Sequence, residues 1–147
     1  MSEATLEELD RDSCVDLLRT NGVGRIAFIL GNYPVIFPIN YRLIEDGDIV
    51  RLLLQTRPGN VIDMANQRVA LQIDDTDSEH ASGWSVLVRG RMHHLRDPAL
   101  MDLRGRLEPT SWVPDHDAWI AIDAVEITGR RLRAVDDKWP FDVRGYR

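Results

Sequence analysis

Across 147 residues there is one cysteine, Cys14, and one lysine, Lys138; all the other basic residues are arginine. A lone cysteine excludes an internal disulfide. Its spacing with Val15, Leu17 and Leu18 places it on the apolar face of a first helix, as a buried, inert thiol. No apolar run approaches the roughly 20 residues that a membrane span needs. The formal charge is −6, and no block of Lys or Arg could track a phosphate backbone, which excludes the usual electrostatic footprint of a nucleic-acid binder. The opening MSEATLEELDRDSCVDLLRT carries acids throughout and lacks the basic and apolar regions of a signal peptide, so a cytoplasmic location is expected. Internal repeats, low-complexity tracts and Gly/Ser linkers are also missing. One domain over residues 1–135 with a polar, aromatic tail at 136–147 is therefore expected, long enough to bury roughly 70% of its unfolded surface.

The motifs of self-sufficient catalysis are equally scarce. There is no G-x-S-x-G elbow, and no local signature gives Cys14 a histidine partner. Gly22-Val23-Gly24 precedes a strand instead of following one, unlike a dinucleotide fingerprint. Asp74, Asp75, Asp77 and Glu79 lack the glycine and closing glutamate of an EF-hand loop and read as a solvated acidic loop. His93 and His94 are adjacent, so on a strand they face opposite ways, and His80 and His116 lie in loops without ligand spacing. No metal site is expected. Any enzymatic chemistry would then come from a bound cofactor.

What the chain does contain is strand after strand. A helix over residues 10–20, with Asp10 or Asp12 as N-cap, stops at Asn21-Gly22. VGRIAFIL, VIFPINYRLI and IVRLLLQT follow as a meander, turned by GNYP and EDGD. RPGNVIDMANQ predicts a short helix with its proline near the start, and VALQIDD returns to strand. In WSVLVRGRMHHL, Val86, Val88 and Met92 alternate with Ser85, Leu87, Arg89 and Arg91, a long half-buried strand. A helix over residues 98–107 is expected next, and WIAIDAVEITGRRLRAV reads as two final strands hinged near residues 127–129. Six or seven strands with short inserted helices predict a mainly β, α+β antiparallel barrel.

The order of these segments, DSCVDLLRTNGVGRIAF, PVIFPINY, LLLQTRPGN, SGWSVLVRGR and AWIAIDAVEITGRRL, resembles the actinobacterial branch of the pyridoxamine 5'-phosphate oxidase-like proteins, from about Leu9 to Leu132. The resemblance implies a six-stranded split β-barrel that forms a homodimer, with FMN sites built by both chains. It implies that the flavin ring lies near Pro38, Ile39, Asn40, Tyr41, Leu54 and Gln55. Trp84, Ser85 and Val86 would approach the ring or ribityl chain, and Trp112 would reach over from the partner.

The same resemblance places the cofactor phosphate where the third strand ends. Relatives carry Thr, a Pro-Gly turn and then Ser-Lys; here Thr56 and Gly59 match, Asn60 replaces the serine, and Val61 stands at the lysine position. Arg57, one turn earlier, is the candidate replacement cation. The tail WPFDVRGYR lacks the Arg and His pair of authentic pyridoxamine phosphate oxidases, so vitamin B6 synthesis is not expected. Three readings stand: an FMN-dependent oxidoreductase acting on a small molecule, a reductase using the deazaflavin coenzyme F-420, and a non-catalytic dimer binding flavin, haem or nothing.

Overall fold

The computed structural model describes residues 4–56, 68–94 and 118–134. Its chain order is β1 (Ala4–Leu9), α1 (Arg11–Thr20), β2 (Val23–Leu30), β3 (Tyr33–Asp46), β4 (Ile49–Thr56), β5 (Arg68–Asp77), β6 (Ser82–His94) and β7 (Ala118–Ala134). All pairings are antiparallel, in the order β1-β7-β4-β3-β2-β5-β6, and a further β7–β6 ladder closes the last six strands into a ring. β1 adds to β7 outside that ring, an acidic edge strand whose Glu7 and Glu8 lie opposite Arg131 and Arg130. Among the described residues no helix is long and apolar enough to cross a membrane. The helices expected after β4 and over residues 98–107 lie outside the described residues, as does the tail.

The strands form where alternation is cleanest. Ile26 and Phe28 of β2, Leu71 and Ile73 of β5, Val86 and Val88 of β6, and Ile120 and Ile122 of β7 all turn into one apolar core. α1 contributes Cys14 and Leu18 to that core. Asp10 caps it by accepting from Ser13 N–H at 2.7 Å, which holds the Asp10 carboxyl below its usual range. Burial pushes the Cys14 thiol up, with Asp10 adding to the effect, so the inert thiol expected from sequence is what the fold contains. A Cβ on Gly129 would stand 2.5 Å from the Cys14 sulfur, so glycine there lets α1 seat against β7.

One expectation is corrected. Residues 118–134 are a single strand rather than two hinged near Ile127. Its irregularity falls at Val125: Arg89 pairs with Glu126 and Gly90 with Ala124, leaving Val125 unmatched and 73% exposed. This extra residue bends β7 enough for its first part to pair with β4 and its last part with β1, while β6 follows it throughout.

Candidate functional site in the split between two strands

β3 outruns β4. It pairs with β2 from Tyr33 to Asn40, and with β4 only from Tyr41 to Asp46. On its other edge β4 pairs with β7 from Arg51 to Thr56, Gln55 with Trp119 and Thr56 with Ala118, while beyond Leu54 its β3 side is unpaired. The ring therefore opens between Asn40 and Gln55, and among the described residues the first half of β3 has a free backbone edge. Tyr41 N–H donates to Gly22 O at 2.9 Å, so odd-numbered residues of β3 turn their amides to β2 and even-numbered ones turn away. Pro34 and Pro38 share that outward parity, where a missing N–H costs no ladder bond. Along Pro38 to Tyr41, the outward parity leaves Asn40 as the residue presenting both N–H and C=O to the opening.

Side chains divide by the same alternation. Tyr41, Leu54 and Val86 are buried in the core, so a ligand could meet them only through backbone atoms. The Tyr41 hydroxyl donates to Leu18 O at 2.8 Å, and burial pushes its pKa up to about 12. Pro38 and Asn40 are exposed, while Ile39 is half-buried against the core. Trp84 and Ser85 are half-buried on β6, opposite Asp75 and Asp74. The register Pro38, Arg25, Gln72, Leu87 shows that β2 and β5 intervene between β3 and β6. At about 4.8 Å per strand, this separates the two groups by roughly 14 Å along the sheet. One chain thus gathers Pro38–Tyr41 with the end of β4, but not with Trp84–Val86. Arg57, Asn60 and Trp112 lie outside the described residues.

Beside the opening stands a group that sequence alone did not single out. The indole Nε1–H of Trp119, in register with Gln55, is buried and has no hydrogen-bond acceptor among the described residues. A buried donor left unmade costs on the order of 1 to 3 kcal/mol, so a site retaining one is suited to a ligand acceptor. The split offers strand-edge amides, carbonyls, apolar walls and this donor. It supplies binding and orientation rather than a nucleophile.

The other titratable clusters are satisfied within themselves. Asp74 accepts from Gln72 at 3.1 Å and from Arg25 at 3.0 Å, which together hold its carboxyl below the usual range. Asp77 accepts from His80 Nδ1 at 2.6 Å and from the amides of Glu79 and His80, and the His80 contact is the main cause of its lowered pKa. No group of three metal-ligating side chains occurs among the described residues.

A six-strand antiparallel ring opened between two neighbours, with a helix packed against its core by one face, is a split β-barrel. The family model described as Pyridoxamine 5'-phosphate oxidase matches residues 10–131, and the chain belongs to this family. Among its relatives is uncharacterized protein Rv0080 of Mycobacterium tuberculosis, 32% identical over 137 residues, covering 90% of this chain and 89% of the relative. The FAD binding protein from Mycobacterium smegmatis is 31% identical with a TM-score of 0.67, over 88% of this chain and 100% of that one. A conserved protein of unknown function from Corynebacterium diphtheriae has a TM-score of 0.73 at 25% identity, over 85% of this chain and 96% of that one.

Proposed function

We propose that this chain binds a flavin nucleotide in the split between β3 and β4 and serves as an oxidoreductase for a small-molecule substrate. The observation that carries this reading is the free backbone edge at Asn40, in a chain 31% identical to an FAD binding protein, with the indole N–H of Trp119, unpartnered among the described residues, one strand further round on β7. The donor set suits a flavin, whose ring edge alternates carbonyls with a ring N–H. Asn40 supplies backbone N–H and C=O to that edge, and Trp119 supplies one donor. Thr56, Arg57 and Asn60 are the proposed phosphate-holding residues. Bound there, the flavin supplies hydride transfer, while the chain orients it and shields one face from water. The absorption spectrum of freshly purified protein, followed by titration with FMN and with FAD, tests this. FMN is the expected ligand; tighter FAD binding would assign the longer nucleotide. Colourless protein whose fluorescence responds to neither would overturn the proposal.

The proposal extends to a homodimer. Val23 and Ile36 are 65% and 66% exposed on β2 and β3, an apolar surface suited to a second copy. Two strands, β2 and β5, separate Trp84–Val86 from the β3 side of the split in their own chain, which favours their serving the partner's site. Sedimentation of Ile36→Arg against wild type checks this, with a shift to monomer expected.

A further inference from the structure

Val61 leaves the proposed phosphate corner one cation short of that in relatives, and the strand pairing brings a free arginine to the residues that serve the site from the other chain. On β7, Arg131 is the direct cross-strand partner of Trp84, and Arg130 that of Ser85. A ligand reached by Trp84 and Ser85 is therefore one cross-strand contact, about 5 Å between Cβ atoms, from an arginine.

The registers decide which arginine faces a second copy. Arg25 is level with Gln72, Gln72 with Leu87, and Leu87 with Thr128, so these side chains share one face of the sheet. Val23, two residues before Arg25, and Ile36, level with Ala27, lie on that face and form the exposed apolar surface given above to the dimer. Ser85 and Arg130, two residues from Leu87 and Thr128, lie on it as well, whereas Trp84 and Arg131 turn to the opposite face. Arg130 is exposed and, among the described residues, makes no ion pair or side-chain hydrogen bond. Glu8, level with it on β1, does not close on it. Asp74, level with Ser85, is already taken by Arg25 at 3.0 Å and Gln72 at 3.1 Å. The Arg130 guanidinium is thus a free fork of donors on the face turned to the partner, in a form suited to a phosphate dianion. We propose that Arg130 reaches across the dimer and holds the flavin phosphate in the partner's site, supplying from the second chain the cation that Val61 does not supply from the first. The contact presupposes the flavin and the homodimer proposed above.

Fluorescence titration with FMN, with FAD and with riboflavin, which lacks the phosphate, tests the proposal. Arg130→Gln is expected to weaken nucleotide binding roughly tenfold or more, as the loss of one charge-assisted contact does, and to leave riboflavin binding unchanged. Arg130→Lys should recover part of the loss, and sedimentation should show Arg130→Gln still dimeric. The crossing itself is read in mixed dimers, co-expressed and purified through two tags, of Arg130→Gln with Thr56→Glu, which places a carboxylate in the phosphate corner. Each variant by itself should bind FMN poorly. The mixed dimer contains one site with an intact corner and an intact Arg130, so one flavin per dimer at wild-type affinity is expected. No recovery in the mixed dimer would overturn the proposal, because Arg130 would then serve its own chain. Equal FMN and FAD affinities in wild type and Arg130→Gln would overturn it too, while leaving the flavin reading intact. Wild type that binds neither nucleotide would remove the flavin reading and this contact together.

Discussion

Tyr41 and Leu54 are the last residues at which β3 and β4 face each other before the barrel opens. One position further on, Asn40 meets no strand on that side among the described residues, while Gln55 is paired with Trp119. A split of one ladder position thus converts a structural edge into a candidate binding edge. In the proposed site the polar groups come from Asn40 and Trp119, since the Tyr41 hydroxyl is buried and donates to Leu18 O.

Trp119→Phe keeps most of the ring and removes the N–H. Flavin affinity is expected to fall about tenfold, the worth of one hydrogen bond of about 1 to 1.5 kcal/mol. The flavin-free protein should lose little stability, because the deleted donor has no acceptor to strand among the described residues. Fluorescence titration and urea unfolding of the same samples check the two halves. Unchanged affinity would remove Trp119 from the site.

Much of this barrel was legible in residue patterns. VGRIAFIL and IVRLLLQT form strands over their full lengths because short apolar runs are bounded by turn residues on both sides or by Pro-Gly. The outward parity of Asn40 was also readable, since Pro34 and Pro38 mark the side of β3 that needs no amide. β1 was missed because ATLEEL is short and acidic; its signal is complementarity with the distant GRRLR, which becomes visible only once the strands are paired. The Val125 bulge was hidden because one inserted residue inverts the alternation on which periodicity depends. Trp119 sat in the apolar run WIAI, and nothing local marks its indole as unpartnered. That fact depends on which strand lies beside it.

Gly129→Ala would drive a methyl into the Cys14 sulfur at 2.5 Å and to within 3.2 Å of the Leu9 side chain. A loss of about 1 to 3 kcal/mol is expected, the usual range for overpacking. Cys14→Ala removes the obstructing atom, so the double variant should be more stable than the sum of the single changes allows. Additive losses in urea unfolding would show that the backbone, and not Cys14, sets the fit.

Tyr41→Phe leaves Leu18 O without its buried donor, with an expected cost of about 1 to 3 kcal/mol near neutral pH. The pH dependence is separable. Because burial raises the folded-state pKa of Tyr41 from 10.0 to about 12, its contribution is fully present below pH 10 and is lost as pH rises through 12. Wild type should therefore lose stability across that window more steeply than Tyr41→Phe. Parallel slopes in urea unfolding at pH 9 to 12 would mean that the hydroxyl ionises freely in the folded state.

In the proposed site, Arg57 and the position of Val61 are the two candidates in the corner after Thr56 for holding the cofactor phosphate. Arg57→Ala is expected to weaken flavin binding by roughly ten to a hundredfold, the worth of one charge-assisted contact of about 1.5 to 3 kcal/mol. Val61→Lys restores the cation found in relatives and should strengthen binding over a similar range. Combining the two changes separates a replacement from an addition. If Arg57 has taken over the role of the missing lysine, Val61→Lys rescues Arg57→Ala to near wild-type affinity. If both changes leave affinity untouched, the phosphate is held elsewhere and the corner after Thr56 has lost that role.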